Sequence, residues 1–388
     1  MNKNSKGAFY ITTPIYYVND RPHIGHAYCT VLADVLKRYH GLFGDKTFFL
    51  TGVDEHGQKV EEAAKKRGLT PQQHCDEMQT HFRDLWPTLD IGNDDFIRTT
   101  EKRHVKVVKE ALQSLWDKGE IYKDEYEGFY SPRVEKFFTE DELIDGKCPE
   151  TGGEVHKLKE ANYFFRMGKY RDALVKHIRA NPDFIRPESR KNEVLGFLTK
   201  QDLSDLCISR PKKRLSWGIE MPFDHEFVTY VWFDALLNYV SAIGLYSDEE
   251  RFAGLWPHSH HLIGKDILTT HSVYWTTMLM AMDLPLPRHI IATGWWLVDE
   301  TKMSKSLGNV VDPLDLNSKY GVDSLRYFLM REMVVGLDAS FSEVAFLKRH
   351  NFDLGNDLGN LANRIAKLVQ RSFGGRVPRR GPEQGPDS

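Results

Sequence analysis

Two short stretches of the chain carry residue types suited to handling phosphate. In Pro22-His23-Ile24-Gly25-His26, two imidazoles flank a glycine where a strand pattern hands over to a helical one. A helix N-terminus offers N–H groups without intrahelical partners and the positive end of the backbone dipole, both favourable to anions. Gly25 has no side chain, so a flat group such as a purine has room against the backbone. His23 and His26 can then donate hydrogen bonds to phosphate oxygens that strengthen as charge builds in a transition state. In Lys302-Met303-Ser304-Lys305-Ser306-Leu307-Gly308-Asn309, two lysines and two serines precede a Gly-Asn turn. Such a loop can swing over a triphosphate and neutralise a leaving pyrophosphate. Taken alone, the first stretch also reads as a surface loop holding two histidines, and the second as a solvated basic turn.

The surrounding pattern supplies a frame. Residues 8–13 read as a short strand whose regular part ends at Pro14. Beyond Gly25, Tyr28, Val31, Leu32, Val35, Leu36 and Tyr39 recur at three- and four-residue steps, the spacing of one helix face. A second strand over 47–53 runs into Asp54-Glu55-His56-Gly57, and helices follow over 70–85 and 102–118. Strand, helix, strand opens a doubly wound α/β domain. From about Tyr126 the texture changes to aromatic pieces and turns, Phe129-Tyr130-Ser131-Pro132 and Cys148-Pro149-Glu150-Thr151-Gly152-Gly153, with helix again over 170–179. A β-rich run over 228–233 is overlapped by a helical run over 232–243. Buried strands are predicted over 260–264 and 289–293, separated by a helix over 267–280, and a last helical section spans 341–371. The fold class that follows is α/β, a Rossmann-like doubly wound parallel sheet with its halves in 1–125 and 226–295. A connective insertion fills 126–225, its part over 126–165 knuckle-like; a loop and contact region fills 296–340; and 341–388 is expected to be the truncated start of a helical domain.

Composition narrows the class. The 388 residues are 41% hydrophobic and 28% charged, an ordinary globular balance with room for two or three domains. No apolar run reaches the length of a membrane span, and the polar start of the chain does not resemble a secretory signal, so a cytoplasmic location is expected. None of Cys29, Cys75, Cys148 and Cys207 stands in a Cys-x-x-Cys pair, which argues against a zinc knuckle or a disulfide framework. A net charge of −3 means that a nucleic-acid partner would be held by local basic patches.

The His-Ile-Gly-His and Lys-Met-Ser-Lys-Ser stretches, in that order, resemble the signature pair of class I aminoacyl-tRNA synthetases. The resemblance runs from about residue 9 to residue 371. Thr13-Pro14-Ile15-Tyr16-Tyr17-Val18-Asn19, Thr51-Gly52-Val53-Asp54-Glu55-His56-Gly57, Tyr230-Val231-Trp232-Phe233-Asp234-Ala235-Leu236 and Ile263-Gly264-Lys265-Asp266-Ile267 are similar to the methionyl-tRNA synthetase family. The resemblance implies ATP-dependent activation of L-methionine and its transfer to tRNA(Met), the initiator tRNA included, with Mg2+ on the ATP, in a monomer. It places the methionine pocket at Ile15, Tyr17, Asp54, Trp232, Ala235, Tyr239, Ile267 and His271, with Asp54 on the ammonium. It places ATP at His23, Gly25, His26, Gly264, Asp266, Gly294 and Lys305, with His23, His26, Lys302 and Lys305 catalytic. Aromatic contacts suit a polarizable thioether, and one carboxylate suits an ammonium. Singly, Ile15, Trp232, Ala235 and Ile267 read as core, and His271 as a satisfied core histidine; Asp54, a carboxylate at a strand end, asks more for a reason.

The same resemblance points to Asn360 and Arg364 as readers of the anticodon. Their i, i+4 spacing puts both on one helix face, and both side chains suit base edges. An exposed polar stripe explains them equally. Where many methionyl enzymes carry Cys-x-x-Cys pairs, this chain has only Cys148 with His156, so a zinc-free insertion is expected. The insertion is too short for the editing domain of the leucine, isoleucine and valine enzymes. A nucleotidyltransferase sharing the histidine motif, or a catalytically dead RNA-binding relative, are the remaining rivals.

Overall fold

The structure is a computed structural model and describes residues 7–134, 136–138, 140–149, 151–200, 202–298, 300–302 and 310–379. Its centre is a parallel sheet of β1 (Ala8–Tyr17), β2 (Lys46–Asp54), β3 (Asp95–Arg98), β4 (Ile185–Arg186), β5 (Ser259–Gly264) and β6 (His289–Thr293), in the order β3-β2-β1-β5-β6-β4. Its strands bury both faces, as a parallel sheet between helices must. Phe9 and Ile11 of β1 pack with Phe49 and Val53 against α1 (Ile24–Leu42), while Tyr10 points the other way with Leu50, toward α2 (Lys102–Asp117). The chain works outward from β1 to β3, then returns to β1's free side as β5. Between β1 and β5 the winding reverses, and the crevice beyond the strands' C-terminal ends there is where open α/β sheets bind ligands.

The predicted strands and helices are present, with differences that have physical causes. β1 continues past Pro14 to Tyr17, because a register shift between Thr12 and Ile15 accommodates the proline without a ladder bond. The sheet's sixth strand, β4, comes from inside the segment read as insertion; two residues are too few to show a period. The insertion's own antiparallel sheet begins at Ile121, with Ile121–Ser131 paired along its length to His156–Phe165. The β-rich run over 228–233 is divided: strand Asp224–Thr229 stops, and α3 (Val231–Leu236) and α4 (Asn238–Ser241) follow. Apolar β-branched and aromatic residues serve a buried helix as well as a strand, so composition misleads there. The helix over 267–280 is a short 3-10 turn (Lys265–Ile267), a π-helix (Thr270–Trp275) and an α-helix (Thr276–Ala281). Near the C-terminus a π-helix (Arg349–Leu358) leads into α5 (Gly359–Phe373). No described helix is long and apolar enough to cross a membrane.

Candidate active site

At the crevice between β1 and β5 lies a cavity of about 310 Å³. Its wall gathers Ile15, Tyr17, Asp54, Trp232, Ala235, Tyr239, Ile267 and His271 with His23, Gly25, His26, Gly264, Asp266 and Gly294. Residues more than two hundred positions apart meet because β1, β2 and β5 are neighbours in the sheet. Asp54 closes β2 opposite Tyr17 of β1, and its backbone oxygen accepts from Val18 N at 3.3 Å. It is 2% exposed, so its position is dictated by the sheet.

The histidine motif caps α1. His23 Nδ1 accepts from Gly25 N–H at 3.0 Å, and His26 Nδ1 accepts from His23 N–H at 3.1 Å. The expectation that free N–H groups at this terminus would meet phosphate is therefore corrected: Gly25 N–H is taken by His23, and Ile24 N–H by Val311 O at 3.0 Å. The same bonds leave each ring's Nε2 as its second hydrogen-bonding atom. In a neutral ring whose Nδ1 accepts, the proton sits on Nε2. Burial and the neighbouring His23 hold His26 well below the usual imidazole range, so it is that neutral donor. The two rings stack at 3.8 Å.

Tyr239 and His271 form a second ordered pair. His271 Nδ1 lies 2.9 Å from Ile267 O and donates to it, so Nε2 accepts from Tyr239 O–H at 2.7 Å. Burial pushes His271 down to about 4 and Tyr239 upward, so both are neutral. His271 sits in the π-helix, where one extra residue per turn turns its ring to the cavity. Behind them His261 takes Trp275 Nε1–H on Nε2 at 3.0 Å and faces Thr12 Oγ1 at 2.8 Å.

Two glycines have different reasons. A Cβ on Gly264 would stand 2.5 Å from Asp266 Oδ1, so this glycine lets that carboxylate fold back against the strand end. A Cβ on Gly294 would stand 2.0 Å from Leu337 O; the close approach there is made by the chain itself. Trp295 follows, its Nε1 3.3 Å from Asp266 Oδ1, and Lys265 lies 4.1 Å over its ring while paired to Asp338 at 2.8 Å.

Lys305 lies outside the described residues, and of Lys302 only the backbone is described, in the strand Thr301–Lys302 paired with Leu297 and Val298. The bond from Ile24 N–H to Val311 O ties the segment after Lys305 to the start of α1. Asn360 and Arg364 sit on α5, exposed and away from the cavity wall. Sequence reasoning missed Pro14, Tyr16, Cys29, Leu236, Asn238, Thr293, Trp295 and Trp296, which also line the cavity. The bulge in β1 is what brings successive residues 14–17 to one wall, and it has no sequence mark beyond Pro14. Burial pushes the Cys29 thiol up to about 12, so it is an inert wall group. Among the described residues no group of three His, Cys, Asp or Glu side chains could hold a metal ion.

The family model described as tRNA synthetases class I (M) matches residues 9–158 and 151–366. A methionine–tRNA ligase of Halalkalibacterium halodurans is 49% identical over 97% of this chain and 59% of its own length. One from Bacillus subtilis is 48% identical over 95% of this chain and 57% of its own length. The chain thus spans somewhat under three fifths of the curated relatives it matches. Mycobacterium tuberculosis methionyl-tRNA synthetase in complex with methionyl-adenylate superposes with a TM-score of 0.91 at 43% identity, covering 98% of this chain and 75% of that one. Its apo form superposes with a TM-score of 0.82 at 41% identity, over 98% of this chain and 73% of that one. With a doubly wound sheet, a capped His-Ile-Gly-His helix and relatives of this closeness along nearly its full length, the chain belongs to the class I tRNA synthetase family, in its methionine (M) group.

Proposed function

We propose that the protein activates L-methionine with ATP and passes it to the 3′ end of tRNA(Met), the initiator tRNA included. The observation that carries this is one cavity in which the buried carboxylate of Asp54, aromatic side chains and the capped histidine motif stand together. In the first step the methionine carboxylate attacks the α-phosphate of ATP in line; the bond to pyrophosphate breaks and methionyl-adenylate forms. In the second, a hydroxyl of the terminal adenosine attacks the carbonyl of that mixed anhydride, releasing AMP. Positioning and charge stabilisation supply the catalysis, with no covalent enzyme intermediate.

Asp54 holds the substrate ammonium, and Tyr17, Trp232, Tyr239 and His271 enclose the thioether together with Ile15, Ala235 and Ile267. His23 and His26 donate through Nε2 to phosphate oxygens, Asp266 takes a ribose hydroxyl, Gly25, Gly264 and Gly294 let the nucleotide lie against backbone, and Lys302 and Lys305 meet the leaving pyrophosphate. ATP enters as its magnesium complex, so the metal comes with the substrate. Asn360 and Arg364 meet the anticodon, and the protein works as a cytoplasmic monomer.

ATP–pyrophosphate exchange across the amino acids tests the reading. A mainly apolar pocket discriminates by only about 1–3 kcal/mol per methylene. Methionine should give the fastest exchange, homocysteine a slower measurable one, and branched residues little. Asp54→Asn should abolish exchange with all of them. Faster exchange with leucine, valine or cysteine would overturn the methionine assignment.

A further inference from the structure

Behind the cavity wall runs a chain of buried polar groups, none of whose four side chains, His56, His104, Asp234 and Ser241, lines the cavity. Asp234 Oδ2 accepts from His56 Nδ1 at 2.6 Å, and Asp234 Oδ1 accepts from His104 Nε2 at 2.7 Å. His104 Nδ1 meets Ser241 Oγ at 2.8 Å, and Ser241 Oγ lies 3.2 Å from Asn238 O. Asp234 and His104 are fully buried, and His56 and Ser241 nearly so. Burial alone would raise the Asp234 carboxyl, but His56 and His104 bring it below the usual carboxylate range. It is an anion in the interior whose two oxygens are each served by an imidazole N–H, the satisfied arrangement that makes a buried charge tolerable.

The placement of these groups is what gives them a consequence. His56 stands two residues after Asp54, at the end of β2. Asp234 stands on α3 between Trp232 and Ala235, and Ser241 closes α4, which carries Tyr239. The strand end is held on its other side as well: Glu55 binds Arg98 at 2.7 Å, and Glu55 N–H donates to Thr99 Oγ1 at 3.0 Å. The His56–Asp234 bond is a direct side-chain link between the end of β2 and α3. We infer that the His56–Asp234–His104–Ser241 relay is a length gauge, which sets the distance between the carboxylate Asp54 and the side-chain pocket of Trp232, Ala235 and Tyr239. These are positioning residues, acting through the groups that touch substrate. The inference rests on the proposed use of Asp54 for the ammonium. Its consequence is selective: loosening the relay weakens recognition of amino-acid length and leaves the nucleotide site, built on α1, β5 and β6, as it was.

The experiment compares Asp234→Asn and Ser241→Ala with the unmodified chain. Asp234→Asn keeps the shape and removes the charge; Ser241→Ala cuts only the last link and serves if the first variant does not fold. Exchange kinetics give KM for methionine and ATP separately, and tryptophan fluorescence gives methionine binding without ATP. The expected result for Asp234→Asn is a rise in methionine KM of roughly tenfold or more, the scale of a small misplacement, with ATP KM unchanged and a smaller preference for methionine over homocysteine. Ser241→Ala should move both quantities the same way by less. Unchanged methionine KM and preference in the folded variants would overturn the gauge, as would methionine and ATP KM rising together, the mark of a general structural role. An unmodified chain that exchanges no methionine would instead sink the proposed function, with methionine binding still reporting on the relay.

Discussion

The cavity and α5 are built on opposite principles. Cavity groups such as Asp54, Tyr239 and His271 are buried, and Tyr239 and His271 are further oriented by the bond between them and by the bond from His271 to Ile267 O. On α5 neither Asn360 nor Arg364 is buried, and Leu361, Ile365 and Leu368 are 55%, 53% and 52% exposed. A reaction centre needs groups fixed before substrate arrives, because only interactions aimed at the transition state raise the rate. A surface that reads bases needs exposed donors and acceptors on a rigid rod, which a helix supplies by spacing alone. Substitutions in one region should therefore leave the other's function intact.

The largest separation is expected at Lys305. Lys305→Ala should slow methionine-dependent exchange by on the order of 3 kcal/mol in the barrier, roughly a hundredfold, the loss expected for the proposed contact to the leaving pyrophosphate. Methionine binding measured without ATP should stay near normal. A near-normal exchange rate would remove Lys305 from the mechanism. On α5, Asn360→Ala or Arg364→Ala should reverse the pattern. Charging of tRNA(Met) should weaken by about 1–3 kcal/mol, the value of a good base contact, while exchange is unaltered. Equal damage to both reactions would make the two residues structural.

The same contrast decides what could be read in the sequence. The cavity's members were legible because signature stretches fixed them and because β1, β2, β5 and β6 announce themselves as apolar runs between helices. What was not legible depends on tertiary geometry. The bulge that turns residues 14–17 to one wall, the π-helix that aims His271, and β4 completing the sheet leave no periodic trace. Trp295 and Trp296 were passed over although the doubled tryptophan after Gly294 was visible; either could have been core. The relay through Asp234 was invisible for a simpler reason: His56, His104, Asp234 and Ser241 meet only in the fold. The zinc expectation remains open to measurement, and elemental analysis should find no stoichiometric zinc; one tightly bound zinc per chain would overturn it.

A stability effect also separates the regions by pH. Burial pushes His271 down to about 4 and His260 to about 3, and holds His261 well below its ordinary value. Unfolding releases each to about 6.5. The unfolded chain then binds protons that the fold refuses, so the contribution is intact above about pH 6.5 and is lost as pH falls toward the folded values. Each such histidine costs up to about 1.4 kcal/mol per pH unit within that window. Asp234, depressed in the fold, works the same way but only at lower pH, below the ordinary carboxylate range. Denaturant unfolding followed by tryptophan fluorescence should show stability falling between pH 7 and pH 5. The segment Gly359–Phe373 has no histidine, so local fraying of α5 should not share this dependence. A flat stability from pH 7 to pH 5 would mean the buried imidazoles are charged or solvated after all.

The smallest effect is the one expected from α5's apolar stripe. Leu361, Ile365 and Leu368 follow i, i+4, i+7 spacing and so form one continuous face. Truncating a buried side chain such as Phe233 to Ala should destabilise the chain by about 3–5 kcal/mol through lost transfer energy and a cavity. Truncating the exposed Ile365 removes contacts that the fold does not make, so Ile365→Ala should shift stability by no more than about 0.5 kcal/mol. A stripe covered by a second copy of the chain would behave differently in two ways. Its truncation would cost as much as a core position, and the midpoint of unfolding would rise with protein concentration, since association stabilises only the folded form. Denaturant unfolding of Ile365→Ala at two concentrations tenfold apart therefore distinguishes an open stripe from a dimer interface. A concentration-dependent midpoint in the unmodified chain, abolished by this one substitution, would replace the monomer reading and move α5 into the buried class to which the cavity belongs.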